Sequence, residues 1–346
     1  MQTVETVQTE RTTIKRKGLS DRIYKYVTAL FASSAPLTIF VIFLTLLVFS
    51  FQSMVVNGFH YFVSTLWNPR LNGNVISLEW FGLTFHALQG ASYGIVVFLA
   101  GTLISSALAI LFGVPLGFAI AILVSQYLPK RISPVISFFV ELLAGIPSVI
   151  FGFWGILVLA PSIKQFEEYV LSRYLYFIPG FGGPVYNPGL LDAGIILALM
   201  IVPIIASMSR DAMIQTPEDL KDGARALGLT DWEITRKIVI PYARTGMFGS
   251  VVLGLGRALG ETMAVAMVAG GALNILPVNV YSAIQTMSGF MAVQLDSAFT
   301  DPTGMYVSAL MELALVLSII TIFVNVLARL IVRQGFFRES SSVVRV

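Results

Sequence analysis

Apolar residues in this chain are gathered into long runs, several of them longer than the roughly 18 residues a bilayer crossing needs. The pattern predicts an all-α polytopic membrane protein of about six transmembrane helices. The spans are read as Pro36–Phe51, Tyr93–Val124, Ile132–Leu159, Leu190–Met208, Met247–Leu273 and Tyr306–Ile331. At about 1.5 Å per residue the second run is too long for one straight span. Gly113-Val114-Pro115 predicts a kink there, or an end that leaves the membrane. Residues 1–34 form a polar, basic tail, and 35–92 hold the first span and a wet outer segment. Trp67 and Trp80 of that segment suit a membrane interface. Residues 93–332 form the core, and 333–346 a second basic tail.

Composition agrees. Of 346 residues, 56% are hydrophobic and 12% charged, well below the roughly 25% charged of soluble domains. The chain has no cysteine, which excludes disulfides, thiolate metal sites and a cysteine nucleophile. His60 and His86 alone make a poor metal site, and none is expected.

The placement of Lys and Arg sets the topology. Six precede the first span: Arg11, Lys15, Arg16, Lys17, Arg22 and Lys25. Arg70 follows alone, then Lys130 and Arg131 in a short turn, then Lys164 and Arg173 in a loop read as Pro161–Pro188. Six more lie between Arg210 and Arg244, none in the Asn274–Gly304 loop, and four at the end: Arg329, Arg333, Arg338 and Arg345. Basic loops face the cytoplasm, so both termini and the 210–246 segment are inside. Arg257 is left over, within the fifth span.

That cytoplasmic segment reads as helix, glycine, helix. Thr216 suits a cap, Pro217 the first helical position, and Glu218 and Asp219 the positive end. Leu220, Ala224 and Leu227 recur at helical spacing. Gly228 suits a left-handed stop. Thr230-Asp231-Trp232-Glu233 is a capping box, and Pro241 ends the second helix or turns it into span five. Over residues 216–241, Asp222-Gly223-Ala224, Gly228, Ile238 and Ile240-Pro241 keep a spacing that resembles the EAA loop of ABC import permeases. Asp replaces the family's Glu, Gly its first Ala, and Ile its Leu. The resemblance implies coupling helices that dock on a cytoplasmic ATPase, with Asp222, Gly223, Ala224, Gly228, Ile238 and Pro241 as the coupling residues. The chain has no GxxxxGK[ST] loop of its own, so it is not itself an enzyme. ATP and Mg would be bound by the partner, and no cofactor by this chain.

The fifth span carries Gly254-Leu255-Gly256-Arg257-Ala258-Leu259-Gly260-Glu261. It lacks the GxGxxG spacing and follows no strand, which excludes a dinucleotide loop. Gly256 and Gly260 allow another helix to approach. Arg257 and Glu261, four apart, would share one helix face. Either they pair within the helix, or Arg257 offers its fork of donors to an oxyanion crossing the membrane. Glu141, beside Gly145-Ile146-Pro147 in the third span, is a further embedded acid, either structural or part of the path. Asp192, Glu312 and the Arg210–Asp211 pair sit at span ends, where solvated roles are expected.

GLGRALGETMAVAMVAGG, Glu141–Gly155 and Ile196–Met213 together resemble the PstC-type permeases of phosphate-specific ABC importers. The resemblance implies the type I (MetI-like) permease fold, with Arg257 and Glu261 in phosphate translocation. It also implies a homologous second permease (PstA-like), two copies of a cytoplasmic ATPase (PstB-like) and an extracytoplasmic phosphate-binding protein (PstS-like). The setting is the lipid of a prokaryotic cytoplasmic membrane, with no nucleic acid. Rival readings are a permease for molybdate or sulfate, or an ion-coupled secondary transporter; the latter has no use for an EAA-like loop.

Overall fold

The computed structural model describes residues 19–69, 73–80, 82–178 and 180–340. Arg11, Lys15, Arg16, Lys17, Arg70 and Arg345 lie outside them, as do the side chains of Arg22, Trp80, Arg333 and Arg338. The chain divides into two units, Met1–Val48 and Phe49–Val346. The described part of the first unit is helical throughout. Helix α1, Leu19–Asn57, begins well before Pro36 and runs through it, so the sequence-based start was too late. Hydroxyls of Thr28, Ser33, Ser34 and Thr38 bond back to carbonyls three or four residues earlier, which satisfies polar groups inside the helix.

The outer segment that follows is not purely helical. A single helical turn, His60–Val63, precedes an antiparallel hairpin of β1 (Val75–Trp80) and β2 (Leu83–Leu88). Its register pairs Val75 with Leu88 and Trp80 with Leu83. The alternation in VISLEW and LTFHAL, with a positive-φ glycine at Gly82, is the local signal for this hairpin. Trp67 is no interface residue. It is buried, and meets Tyr93, Phe98 and Phe290 edge-on at centroid distances of 5.1, 5.4 and 5.1 Å. Asn274 clamps its backbone from a distant loop: Oδ1 accepts the Trp67 N–H and Nδ2 donates to its carbonyl.

Helix α2 runs from Val96 to Tyr127, continuous past Pro115 and closing in a π-turn over Leu123–Tyr127. The third span differs from expectation. Pro147 lacks an N–H and holds Ile146 out of helical geometry. The run therefore splits into α3, Ser133–Ala144, and α4, Ser148–Tyr174. Only α4 is long enough to cross, and it carries helix well beyond Pro161, so Lys164 and Arg173 sit on the span and not in a loop.

Helix α5, Leu190–Ile214, is the centre of the second unit. Of its apolar stretch, 78% is buried, against 33% or less in the other five crossing helices. It lies against α2 at backbone distance: a Cβ at Gly113 or Gly117 would come within 2.8 and 2.7 Å of Ile201 and Ile205. Small residues are what bring membrane helices this close, since lipid gives no hydrophobic drive between them. The remaining elements are α6 (Glu218–Ala226), α7 (Asp231–Gly260), α8 (Met263–Val268), α9 (Met287–Ala298) and α10 (Met305–Ser340). The stretch expected as a loop over Asn274–Gly304 thus holds a helix, α9, whose Phe290 stacks on Phe98 at 4.2 Å. The all-α, six-span expectation holds, with the hairpin as its one addition among the described residues.

Because Trp67 joins α2, α9 and α10 in one aromatic cluster, Trp67→Ala is expected to destabilise the protein by about 3–5 kcal/mol. Thermal unfolding of the purified protein, with the partly exposed Trp154→Ala as reference, measures this.

Candidate functional site

The cytoplasmic segment folds as helix, glycine, helix. Helix α6 closes in a Schellman motif: Leu229 N–H reaches Ala224 O at 3.2 Å, and Gly228 N–H reaches Arg225 O at 2.9 Å. Gly228 has φ +81, the left-handed region that a side chain strains. Thr230 and Glu233 form the expected capping box, with Glu233 Oε2 accepting from Thr230 N–H at 3.0 Å. The start of α6 differs: Pro217 precedes the first helical turn and Thr216 provides no cap. The apolar stripe differs as well. Ala224 points inward, into a cluster with Met213, Ile234, Val239 and Ala243, and Ile238 packs against it. Leu220 and Leu227 point outward, 48% and 82% exposed. Asp222 is exposed and pairs with Arg225 at 2.7 Å, and Gly223 faces open space. The outer surface of α6 is therefore apolar at two positions and charged between them.

Pro241 neither ends nor turns the second helix. A π-turn over Thr235–Val239 comes immediately before it, and its wider hydrogen bonding absorbs the missing donor and the bulk of the ring. The result is one continuous rod of 30 residues, about 45 Å long, from the cytoplasmic capping box to Gly260. One side of the rod packs on α5. Ser250 and Ser209 hydroxyls meet at 2.9 Å, and Gly254 lies over Ile201 and Ile205, near the middle of α5. Gly256 faces Asn325 of α10. The opposite side carries exposed Leu253 and Arg257, and a Cβ at Gly249 or Gly260 would meet nothing within 4 Å.

The rod stops at Gly260. Glu261, four residues after Arg257, is the C-cap, with φ −69, ψ 132 and its N–H on Ala258 O, so the chain turns away after it. No ion pair joins them, and among the described residues Arg257 has no hydrogen-bond or ion-pair partner. Glu261 is instead held at the break: its carbonyl accepts from Ser288 Oγ at 2.6 Å, and Oε1 faces Ala264 N–H at 3.4 Å. The intrahelical pair is thereby excluded in this structure. Glu141 is not embedded in a crossing helix. It is half-exposed on α3 and meets Arg210 of α5 at 3.1 Å, while Arg210 also holds Asp211 at 2.7 Å. The structure brings the coupling residues into one unit and sets Arg257 and Glu261 at one end of its rod, but leaves Glu141 elsewhere.

Residues 113–334 match the family described as the binding-protein-dependent transport system inner membrane component. The chain belongs to this family. Phosphate transport system permease protein PstC 1 of Mycobacterium tuberculosis is 41% identical over 283 residues, 80% of this chain and 82% of that protein. Phosphate transport system permease protein PstC of Mesorhizobium japonicum is 37% identical over 322 residues, 92% of this chain and 91% of that protein. The inward-facing MetNI methionine ABC transporter overlaps the chain with a TM-score of 0.47 at 19% identity, over 69% of this chain and 95% of that chain. The permease is thus a multi-pass protein of the cytoplasmic membrane, a transport component and not a catalytic one.

Asp192 and Glu312, expected in solvated roles at span ends, are both buried, and Glu167, also buried, was not singled out in the sequence. Asp192 and Glu167 are both fully enclosed near the outer end of α5 and α4. For Asp192 the signal was available, since it sits three residues after Gly189 and caps α5 through the Gly189 N–H at 2.9 Å. For Glu167 there was none, because its helix was read as loop. The Glu141–Arg210 pair is half solvent-exposed on the acid side. A double-mutant cycle with Glu141→Gln and Arg210→Gln is expected to give a coupling of about 0.2–1 kcal/mol in thermal stability, as for a surface pair.

Proposed function

We propose that this permease conducts inorganic phosphate inward in an ATP-driven importer. The observation that carries the reading is Arg257: an exposed guanidinium within an apolar crossing helix, with no hydrogen-bond or ion-pair partner among the described residues. A lone charge there costs from about 2.5 kcal/mol upward, and an oxyanion in transit answers that cost. Its planar fork binds two phosphate oxygens at once. Near neutral pH phosphate still carries a proton and sulfate does not. Glu261, an acceptor when ionised, takes the P–OH hydrogen bond. The names of the relatives, both phosphate transport system permeases, favour phosphate over molybdate or sulfate.

The rest of the complex follows the same reading. The outer face of α6, with Leu220, Asp222, Gly223 and Leu227, docks on one of two cytoplasmic ATPase subunits, which bind ATP and Mg. A homologous second permease covers the open face of α7, so that Arg257 lies between two bundles. A phosphate-binding protein delivers cargo to the outer loops. Movement of α6 is carried along the rod to Arg257.

Arg257→Gln is expected to lower phosphate uptake by about tenfold or more, the loss of a charge-assisted contact of about 1.5–3 kcal/mol, with complex assembly unchanged. Normal uptake by that variant would sink the proposal. Glu261→Gln should narrow the preference for phosphate over sulfate in competition uptake. A disulfide cross-link that fixes α6 to the start of α7 should stop transport while ATP binding by the complex persists. Transport that continues under the cross-link breaks the mechanical link.

A further inference from the structure

The end of the rod is held by a residue far away in the chain. Glu261 makes two long contacts within its own segment: its N–H reaches Ala258 O at 3.5 Å, and its Oε1 faces Ala264 N–H at 3.4 Å. Both lie beyond the usual range of such bonds. A third contact is short. Ser288 Oγ donates to the Glu261 carbonyl at 2.6 Å, from 27 residues away. The neighbouring carbonyl, Gly260 O, is served within the turn itself by Thr262 Oγ1 at 3.2 Å. Hydroxyls such as those of Thr102, Ser137 and Ser318 bond back to a carbonyl four residues earlier in their own helix, a common habit of serine and threonine in helices. The hydroxyl of Ser288 reaches out of its helix instead.

Ser288 is itself firmly placed. It is 6% exposed, in the first turn of α9. Just before it, Met287 N–H donates to Thr102 Oγ1 of α2 at 2.9 Å. Just after it, Gly289 N–H donates to the capping Thr286 Oγ1 at 3.2 Å. A Cβ at Gly289 would come within 3.3 Å of Ala266 Cβ, so α9 lies hard against α8. Helix α8 is seated in turn, with Ala264 and Val268 in one cluster with Ile196 and Met200 of α5. The turn at Glu261 is thus tied by one short bond to a helix start that is anchored on α2 and α8. Without that hydroxyl only the two long contacts remain. The Glu261 peptide could then rotate, and rotation swings the carboxyl group that the same residue carries.

We infer that Ser288 is a positioning residue for substrate choice: by fixing the Glu261 carbonyl it fixes where the Glu261 carboxylate meets the P–OH of phosphate. This rests on the role proposed for Glu261 above. The consequence is specific to the protonated oxyanion. Sulfate carries no proton near neutral pH, so it has no hydrogen to give that carboxylate and does not read its position. Arg257, which would take unprotonated oxygens of either anion, stands one turn earlier in the rod and makes no hydrogen bond to Ser288. Loss of the Ser288 hydroxyl therefore blurs the discrimination between the two anions while the general attraction for oxyanions stays.

The test is uptake by the complete transporter in proteoliposomes, reading KM and Vmax for phosphate and the inhibition constant of sulfate. Ser288→Ala is expected to raise the phosphate KM about tenfold, the scale of one lost hydrogen bond, with inhibition by sulfate as in wild type and Vmax less affected than KM. Ser288→Thr, which keeps the hydroxyl, is expected to restore the phosphate KM. Adding Ser288→Ala to Glu261→Gln is expected to cost nothing further, because the two residues act as a unit. Wild-type discrimination in Ser288→Ala, beside a Glu261→Gln that has lost it, overturns the inference and leaves the role of Glu261 standing. Wild-type discrimination in Glu261→Gln overturns both. A fall in Vmax with both affinities unchanged makes Ser288 a structural brace only and overturns the inference, as does a further loss in the double variant. Should Ser288→Ala fail to assemble, Ser288→Cys, of similar size and a weaker donor, takes its place, and wild-type discrimination there is decisive against the inference.

Discussion

The close approach of α2 and α5 is the contact on which the second unit depends. Gly113 and Gly117 admit Ile201 and Ile205 to within ordinary backbone range, and the same two isoleucines then receive Gly254 of α7. One pair of branched side chains is therefore shared by three helices. A side chain at Gly113 or Gly117 would push α2 off α5, and one at Gly254 would crowd the rod against Ile205. The rod is continuous and seats on this contact as well as on Asn325 of α10, and these contacts position Arg257.

The break at Glu261 is the counterpart to that continuity. Arg257 and Glu261 form no ion pair in this structure, and Ser288 and Ala264 engage the Glu261 carbonyl and carboxylate at the helix end. Irregular backbone at membrane depth persists where such partners exist or where it lines a polar path.

Much of this was legible in the sequence. The number of spans, the Schellman glycine at Gly228 and the Thr230–Glu233 box are local patterns with local causes, and each agrees with the structure. The errors share another cause. Pro36 was read as the start of a span and Pro241 as the end or turn of a helix, yet both lie within continuous helices, since nearby hydroxyls or a π-turn satisfy what proline removes. Pro147 did break its helix, but the third span was drawn straight across it, so Glu141 was read into a crossing helix and Glu167 into a loop. Pairing of Arg257 with Glu261 was one of two readings that helix spacing allowed, and the structure holds no such pair. Partnership across the fold, as between Arg210 and Glu141 or Trp67 and Asn274, leaves no local trace.

The π-turn before Pro241 has one further consequence. An inserted residue in an α-helix rotates everything beyond it by about 100°. The turn at Thr235–Val239 therefore fixes the angular phase between the surface of α6 and the face of α7 that bears Arg257. Two faces that must address different neighbours are set at their mutual angle by a single extra residue. Altering the number of residues in that turn would re-aim one face against the other while leaving every contact within each half intact.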